Sequence, residues 1–339
     1  MPKGVKMPKV VLTGIKTSGM PHLGNYIGAI LPAIEGAKET NVDSYFFVAD
    51  YHALTTVHDA SFLKQKIREV SATWLACGLD PDKTIFYRQS DIPELFELNW
   101  ILSCMTPKGL MNRGHSYKAI TQFNRELGRK NLEDGVNMGI YNYPILMSSD
   151  ILLFAASEVP VSEDQAQHLE ITRDIAIKFN HTFKTDILTI PKTVIQSKLL
   201  PGLDGEKMSK SKNNYIPLFC SSKELRKTIM KIKTDSSDPN TPKDPEKSIL
   251  FSIYKAFAST DQTQALVEKY QKGIGWGIVK EMLYNLLEEH LSDKRKIYKD
   301  LIAQPKKIDL ILEKGAKKAR QKGAMTMKNI REIVGISQY

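Results

Sequence analysis

Short apolar runs alternate with longer stretches of helical periodicity through the first half of the chain. Lys9-Val10-Val11-Leu12-Thr13-Gly14 reads as a buried strand ending in a turn. Helical spacing follows over Gly24 to Ala37, where Pro32 is expected to kink or restart the helix because it has no N–H to donate. Ser44-Tyr45-Phe46-Phe47-Val48-Ala49 predicts a second buried strand, Phe62 to Gly78 a helix closed by its glycine, and Thr84-Ile85-Phe86-Tyr87 a third strand. Strands alternating with helices imply an α/β fold, a parallel sheet with helices on its faces. Ligands then belong at the carboxyl ends of the strands, near the point where strand order reverses.

Glu94 to Tyr117 is expected to be helical with breaks at Pro107 and Gly109, and the polar run Thr121 to Val136 to be a mobile loop. After a further helical stretch, Glu158-Val159-Pro160-Val161 reads as a strand and Asp164 to Asn180 as a helix. From about Leu218 strand signals fade and amphipathic helices dominate, so the boundary is placed near residue 216. This gives an α/β domain over 1–216, with a helical insertion at about 94–145, and a smaller all-helical domain over 217–339. A chain of 339 residues is long enough for two cores.

Composition narrows the class. The content is 42% hydrophobic and 25% charged, ordinary for a soluble globular protein. No apolar run approaches the roughly 20 residues of a membrane span. The start, Met1-Pro2-Lys3-Gly4-Val5-Lys6, lacks an adjoining apolar stretch, so no secretory signal and a cytoplasmic location are expected. Cys77, Cys104 and Cys220 are odd in number and far apart, which favours buried free thiols over disulfides or a metal centre. The seven histidines show no ligand spacing, and no protein-held metal is expected. Net charge is +10, and from Leu301 to Tyr339 nine Lys/Arg stand against three Asp/Glu, a candidate nucleic-acid face.

Two strings carry candidate chemistry. In Thr13-Gly14-Ile15-Lys16-Thr17-Ser18-Gly19-Met20-Pro21-His22-Leu23-Gly24-Asn25 a buried strand runs into a small-residue loop that opens a helix. Such a loop can present backbone N–H groups to phosphate, and Gly24 admits close backbone approach. His22 and Asn25 share one side of the first turn as phosphate donors. A tight strand-to-helix connection capped by Asn25 fits the same residues. In Gly205-Glu206-Lys207-Met208-Ser209-Lys210-Ser211-Lys212, lysines three apart with small hydroxyl residues suit a mobile loop closing over a triphosphate, its ammonium groups offsetting charge on leaving pyrophosphate. A solvated surface loop is the plainer alternative.

His22-Leu23-Gly24-Asn25 resembles the "HIGH" signature of class I aminoacyl-tRNA synthetases, and Lys207-Met208-Ser209-Lys210-Ser211 matches their "KMSKS" signature letter for letter. Order, spacing and strand-helix context agree, from the first strand to Val334-Gly335. The resemblance implies a Rossmann-like nucleotide-binding domain and a two-step reaction. An amino-acid carboxylate attacks the α-phosphate of ATP, which carries Mg²⁺, and the acyl group then passes to the 3′-terminal ribose of tRNA. It implies catalytic roles for His22, Asn25, Lys207 and Lys210. It also implies ATP contacts from Lys16, Thr17, Ser18, Gly24, Asn25, Ser162, Glu163, Asp164, Leu199 and the Lys207–Ser211 string, including Met208 and Ser209. Many relatives carry Gln-Pro at Lys16-Thr17 and Gly at Ser162, so those contacts are chemically altered here.

Tyrosine and tryptophan enzymes share this small architecture. Helical spacing puts Tyr143, Met147 and Asp150 on one face. Asp150 could accept from an indole N–H or a phenol O–H and so does not choose. Tyrosine enzymes typically have Gln at the position of Met147, whereas this chain is similar to tryptophan enzymes of bacterial type. Phe47 to Thr55 resembles their second strand and loop, with His52 near the substrate. Val159 to His168 resembles their "VPVGEDQKQH" block, which implies Val159 and Val161 lining an indole site, Gln165 facing the amino group and His168 in a structural role. The implied substrates are L-tryptophan, ATP and tRNA(Trp), with a tyrosyl-tRNA synthetase as the alternative. Also implied are a homodimer paired through residues 94–145 and a C-terminal helical domain that binds the anticodon region. Gly273-Ile274-Gly275-Trp276-Gly277 is not a dinucleotide fingerprint, since no strand precedes it and its last glycine falls one position early.

Overall fold

The computed structural model describes residues 8–17, 20–195 and 199–337, without the side chain of Asp164. Five strands, β1 (Lys9–Lys16), β2 (Val42–Ala49), β3 (Ile85–Arg88), β4 (Glu158–Val161) and β5 (Lys192–Ile195), form one sheet in the order β3-β2-β1-β4-β5. Every pairing is parallel, as the strand-helix alternation required. β5 was not legible in the sequence, because it is short and three of its four residues are exposed. The order reverses at β1, which pairs with β2 on one side and β4 on the other. The loops leaving β1 and β4 therefore flank the switch point where ligands collect in open parallel sheets.

Period-two burial divides the sheet between two cores. Tyr45 and Phe47 of β2 enter one, and Phe46 and Val48 enter the other. Helices beyond residue 216 contribute to both: Leu283, Leu287, Leu291 and Leu312 join the Phe46 side, and Ala316, Ala319, Met327 and Ile330 join the Tyr45 side. The expected boundary is itself stitched to the first loop. The Leu23 N–H donates to the Ile216 carbonyl at 3.0 Å, and the Leu218 N–H to the Pro21 carbonyl at 3.0 Å.

The helix expected over Gly24 to Ala37 begins at Leu23–Asn25, widens to a π-helix over Tyr26–Ile30 and resumes as Leu31–Gly36. Pro32 explains the interruption: its ring crowds the carbonyl four residues back and it lacks an N–H, and a wider turn accommodates both. The polar run expected as a loop differs more. His115–Glu126 is a helix, and the nearly fully buried Asn124 gathers the following turn by donating to the carbonyls of Leu132 (2.9 Å) and Asp134 (2.8 Å). Residues 127–136, the larger part of that run, are turn and irregular structure as its polar composition implied.

The basic terminal segment forms the helix Pro305–Val334. Gly315, Ala319 and Gly323 lie one turn apart on its buried side. An added Cβ on Gly315 would stand 1.8 Å from the Phe86 carbonyl oxygen, so the helix lies directly on edge strand β3. Covering an exposed strand edge also protects it from pairing with other chains. Three of the segment's cations pair with acids of the first half: Arg320 with Glu94 (3.1 Å), Lys314 with Asp82 (2.7 Å) and Arg331 with Glu97. Three of the nine cations that suggested a nucleic-acid face are thus paired with the first half. Cys77 is buried as expected, Cys220 is half-buried, and Cys104 is exposed on the helix Glu94–Met105. Among the described residues no helix is long and apolar enough to cross a membrane.

Candidate active site

The two signature strings meet. His22 Nδ1 accepts the Asn25 backbone N–H (3.2 Å) while Asn25 Oδ1 accepts the His22 backbone N–H (3.1 Å), a reciprocal cap on the first turn. With Nδ1 committed as acceptor, the proton of the neutral ring sits on Nε2, leaving an N–H donor. Burial, reinforced by the Lys210 charge, pulls the His22 pKa down to about 4. The ring is therefore neutral at physiological pH. Because the unfolded value is 6.5, protonation favours the unfolded chain, and this site should lose stability as pH falls from 6.5 towards 4. A ¹⁵N titration should find Nε2 protonated and the ring neutral at pH 6; a ring titrating near 6.5 would contradict that.

Gly24 donates its backbone N–H to the Met208 thioether at 3.3 Å, and a Cβ there would lie 3.0 Å from His22 Nδ1. The glycine is needed for this approach of one signature to the other. In the second string Lys210 is half-buried, and its pKa is lowered by burial and by Lys66, against an opposing effect of Glu69. Lys207 and Ser211 are exposed, Met208 is buried, and the Ser209 and Ser211 hydroxyls hydrogen-bond at 2.8 Å.

Asn214 organises this loop and was missed in the sequence. It is nearly fully buried, accepts the Ser209 N–H (2.8 Å), and donates to Asp204 Oδ1 (2.8 Å) and the Lys207 carbonyl (3.2 Å). Only its place just after the signature could have suggested it.

At the far side of the switch point, Asp150 lies in the helix Met138–Leu153, 1% exposed. Its Oδ2 accepts from His52 Nε2 at 2.8 Å, and Gln89 Nε2 lies 2.9 Å from both carboxylate oxygens. Burial raises the Asp150 pKa, while His52 and Gln89 act to lower it. The Tyr143 ring packs 4.3 Å from that of His52 and 5.2 Å from that of His168. His168 Nε2 accepts the His115 N–H at 3.3 Å, so Nδ1 carries the proton and donates to Gln165 Oε1 at 3.1 Å. Asp150, His52, Tyr143, His168 and Gln165 thus form one continuous series. Val159 and Val161 are buried on one face of β4, in the core against which Met147 packs.

The remaining candidates are more scattered. At the end of β1, Lys16 is exposed and Thr17 buried; Ser18 lies outside the described residues. Ser162 and Glu163 are exposed just after β4, the Asp164 side chain lies outside the description, and Leu199 is exposed. Gln89, at the carboxyl end of β3, was also missed: nothing around it marks a motif, although its place at a strand end was the available signal.

Residues 6–292 match the family described as tRNA synthetases class I (W and Y). The chain belongs to this family. It is 49% identical to a tryptophan–tRNA ligase of Neisseria meningitidis, over 97% of this chain and 98% of that protein. To a tryptophan–tRNA ligase of Pseudomonas putida it is 48% identical, over 97% of this chain and 74% of the other. The crystal structure of the Campylobacter jejuni tryptophanyl-tRNA synthetase complexed with ADP and tryptophan is 40% identical, with a TM-score of 0.87 over 96% of this chain and 99% of that one. The family assignment agrees with the resemblance read from the two signatures, and this synthetase has the α/β fold that the resemblance implied.

Proposed function

We propose that this synthetase is a tryptophan–tRNA ligase. The L-tryptophan carboxylate attacks the α-phosphorus of ATP, the α–β anhydride bond breaks, and pyrophosphate leaves with tryptophanyl-adenylate remaining. A 3′-terminal ribose hydroxyl of tRNA(Trp) then attacks the acyl carbon and AMP leaves. The observation that carries the reading is the junction of the two signatures, with neutral His22, Gly24 and Lys210 gathered at the Met208 contact. The near-full-length likeness to tryptophan–tRNA ligases supports tryptophan over tyrosine.

In this reading His22 Nε2–H and the Asn25 amide donate to phosphate oxygens, and Lys207 and Lys210 offset the charge on departing pyrophosphate. Lys16, Thr17, Ser18, Ser162, Glu163, Asp164, Leu199, Met208, Ser209 and Ser211 surround ATP. Mg²⁺ enters as part of the MgATP substrate and shields its phosphates; among the described residues no group of three or more His, Cys, Asp or Glu could hold a metal ion. Asp150 accepts the indole N–H, and Tyr143, Met147, Val159, Val161 and His52 surround the ring. His168 steers Gln165 towards the substrate ammonium.

Residues 1–216 carry this chemistry and the helices over 217–339 receive tRNA. Two copies pair through residues 94–145, a reading supported by the exposed Phe96 and Trp100 one turn apart on the helix Glu94–Met105. Service to protein synthesis goes with a cytoplasmic location.

Amino-acid-dependent ATP–pyrophosphate exchange tests the substrate. Strong exchange with tryptophan and little with tyrosine is expected. The reverse would overturn tryptophan as substrate, and no exchange with any amino acid would overturn the ligase reading.

A further inference from the structure

Asp150 is a buried carboxylate whose acceptor positions are nearly all assigned. A carboxylate offers about four acceptor positions; Gln89 Nε2 reaches both oxygens at 2.9 Å and His52 Nε2 reaches Oδ2 at 2.8 Å. One acceptor position is left, suited to a single further donor.

Gln89 is fully buried, and its amide is oriented by a separate bond: its Oε1 accepts the His52 backbone N–H at 3.3 Å. With the oxygen end committed there, the NH₂ end faces the carboxylate, because the flipped amide would set oxygen against oxygen. The base of this frame is pinned as well. The buried Asp50 accepts the Ser90 backbone N–H (3.0 Å), the Tyr51 backbone N–H (3.0 Å) and the Ser90 hydroxyl, tying the carboxyl ends of β2 and β3 together next to Gln89. Gln89 therefore joins the end of β3, the turn after β2 and the helix that bears Asp150.

We propose that Gln89 is a positioning residue for tryptophan selection, fixing the Asp150 carboxylate so that its one remaining acceptor position meets the indole N–H. This rests on the ligase reading above. Without Gln89, a buried carboxylate loses the one donor that reaches both of its oxygens, is less firmly fixed about its side-chain torsions and shifts towards the protonated form, which offers a donor where the ring N–H needs an acceptor. His52 alone supplies one bond and cannot fix both oxygens.

The test uses the full-length protein in pyrophosphate exchange, with tryptophan and with its analogue carrying sulfur in place of the ring N–H. Gln89→Met keeps the length of the side chain and removes its donors. The tryptophan KM should rise on the order of 10-fold, the scale of a lost hydrogen bond to a charged group. The kcat, the ATP KM and the analogue KM should stay within about twofold, so preference for tryptophan over the analogue falls by the same on-the-order-of-10-fold factor. The unchanged analogue is the internal check on folding. Should Gln89→Met not fold, Gln89→Ala removes the donors and leaves room for water beside the carboxylate, and the same loss of preference is expected. An equal loss for both amino acids, or no change for either, overturns the proposal. Absence of exchange in the unaltered protein would instead reject the ligase reading and is distinguishable from either result.

Discussion

Lys210→Ala is expected to slow tryptophan-dependent pyrophosphate exchange by on the order of 10²–10³-fold, the usual consequence of removing one preorganised charge-stabilising donor. The reasoning starts from placement. Lys210 is half-buried, and its charge is felt at His22, whose pKa it helps to depress, so its ammonium acts electrostatically on the neutral donor assigned to phosphate. In that partly desolvated setting a positive charge acts more strongly on developing negative charge than it would in water. Burial and Lys66 work against the ammonium, Glu69 works for it, and a negative ligand would favour it further. The loss should fall on kcat with the tryptophan KM little changed, because the interaction strengthens only as pyrophosphate departs. Lys207 is exposed, and Lys207→Ala should have the smaller effect, being screened by solvent and salt. Exchange within threefold of the unaltered rate for Lys210→Ala would exclude the role assigned to it.

Gly315→Leu is expected to destabilise the protein by at least about 3 kcal/mol, beyond the usual range for overpacking because the clash is with backbone. A Cβ at this position would stand 1.8 Å from the Phe86 carbonyl oxygen and 2.6 Å from its carbon, and neither can swing aside as a side chain could. The helix Pro305–Val334 would have to lift from β3, opening the core that holds Ala316, Ala319, Met327 and Ile330. The thermal midpoint should fall by roughly 6–12 °C or more, scaling from about 2–4 °C per kcal/mol for domains of roughly 150–250 residues. Tryptophan binding should weaken in the same variant, since Phe86 precedes Gln89 by three residues on the strand that the helix supports. Gly277→Ala is the control: a Cβ there meets nothing within 4 Å, and the midpoint should hold or rise slightly. An unchanged midpoint for Gly315→Leu would show that the helix does not bear on β3 as closely as described.

The chemistry was legible in the sequence because each signature is a local string. His22 to Asn25 and Lys207 to Ser211 carry their types and spacing without help from the fold, and strands of four or more largely apolar residues declared β1 to β4 by period and length. Asp150 and Met147 were visible on one helical face for the same reason. What only the tertiary structure decided depends on residues distant in sequence. The tautomer of His22 follows from its cap, and its neutrality owes something to Lys210, far along the chain. Gln89 meets Asp150 across 61 positions, and Gly315 meets Phe86 through backbone contact rather than any composition signal. The terminal lysines and arginines gave charge but not destination: Arg320, Lys314 and Arg331 pair with acids more than 200 positions earlier. Periodicity and motif spacing report on neighbours along the chain, whereas the orientation of a buried amide or the partner of a cation is set by whatever packing brings alongside.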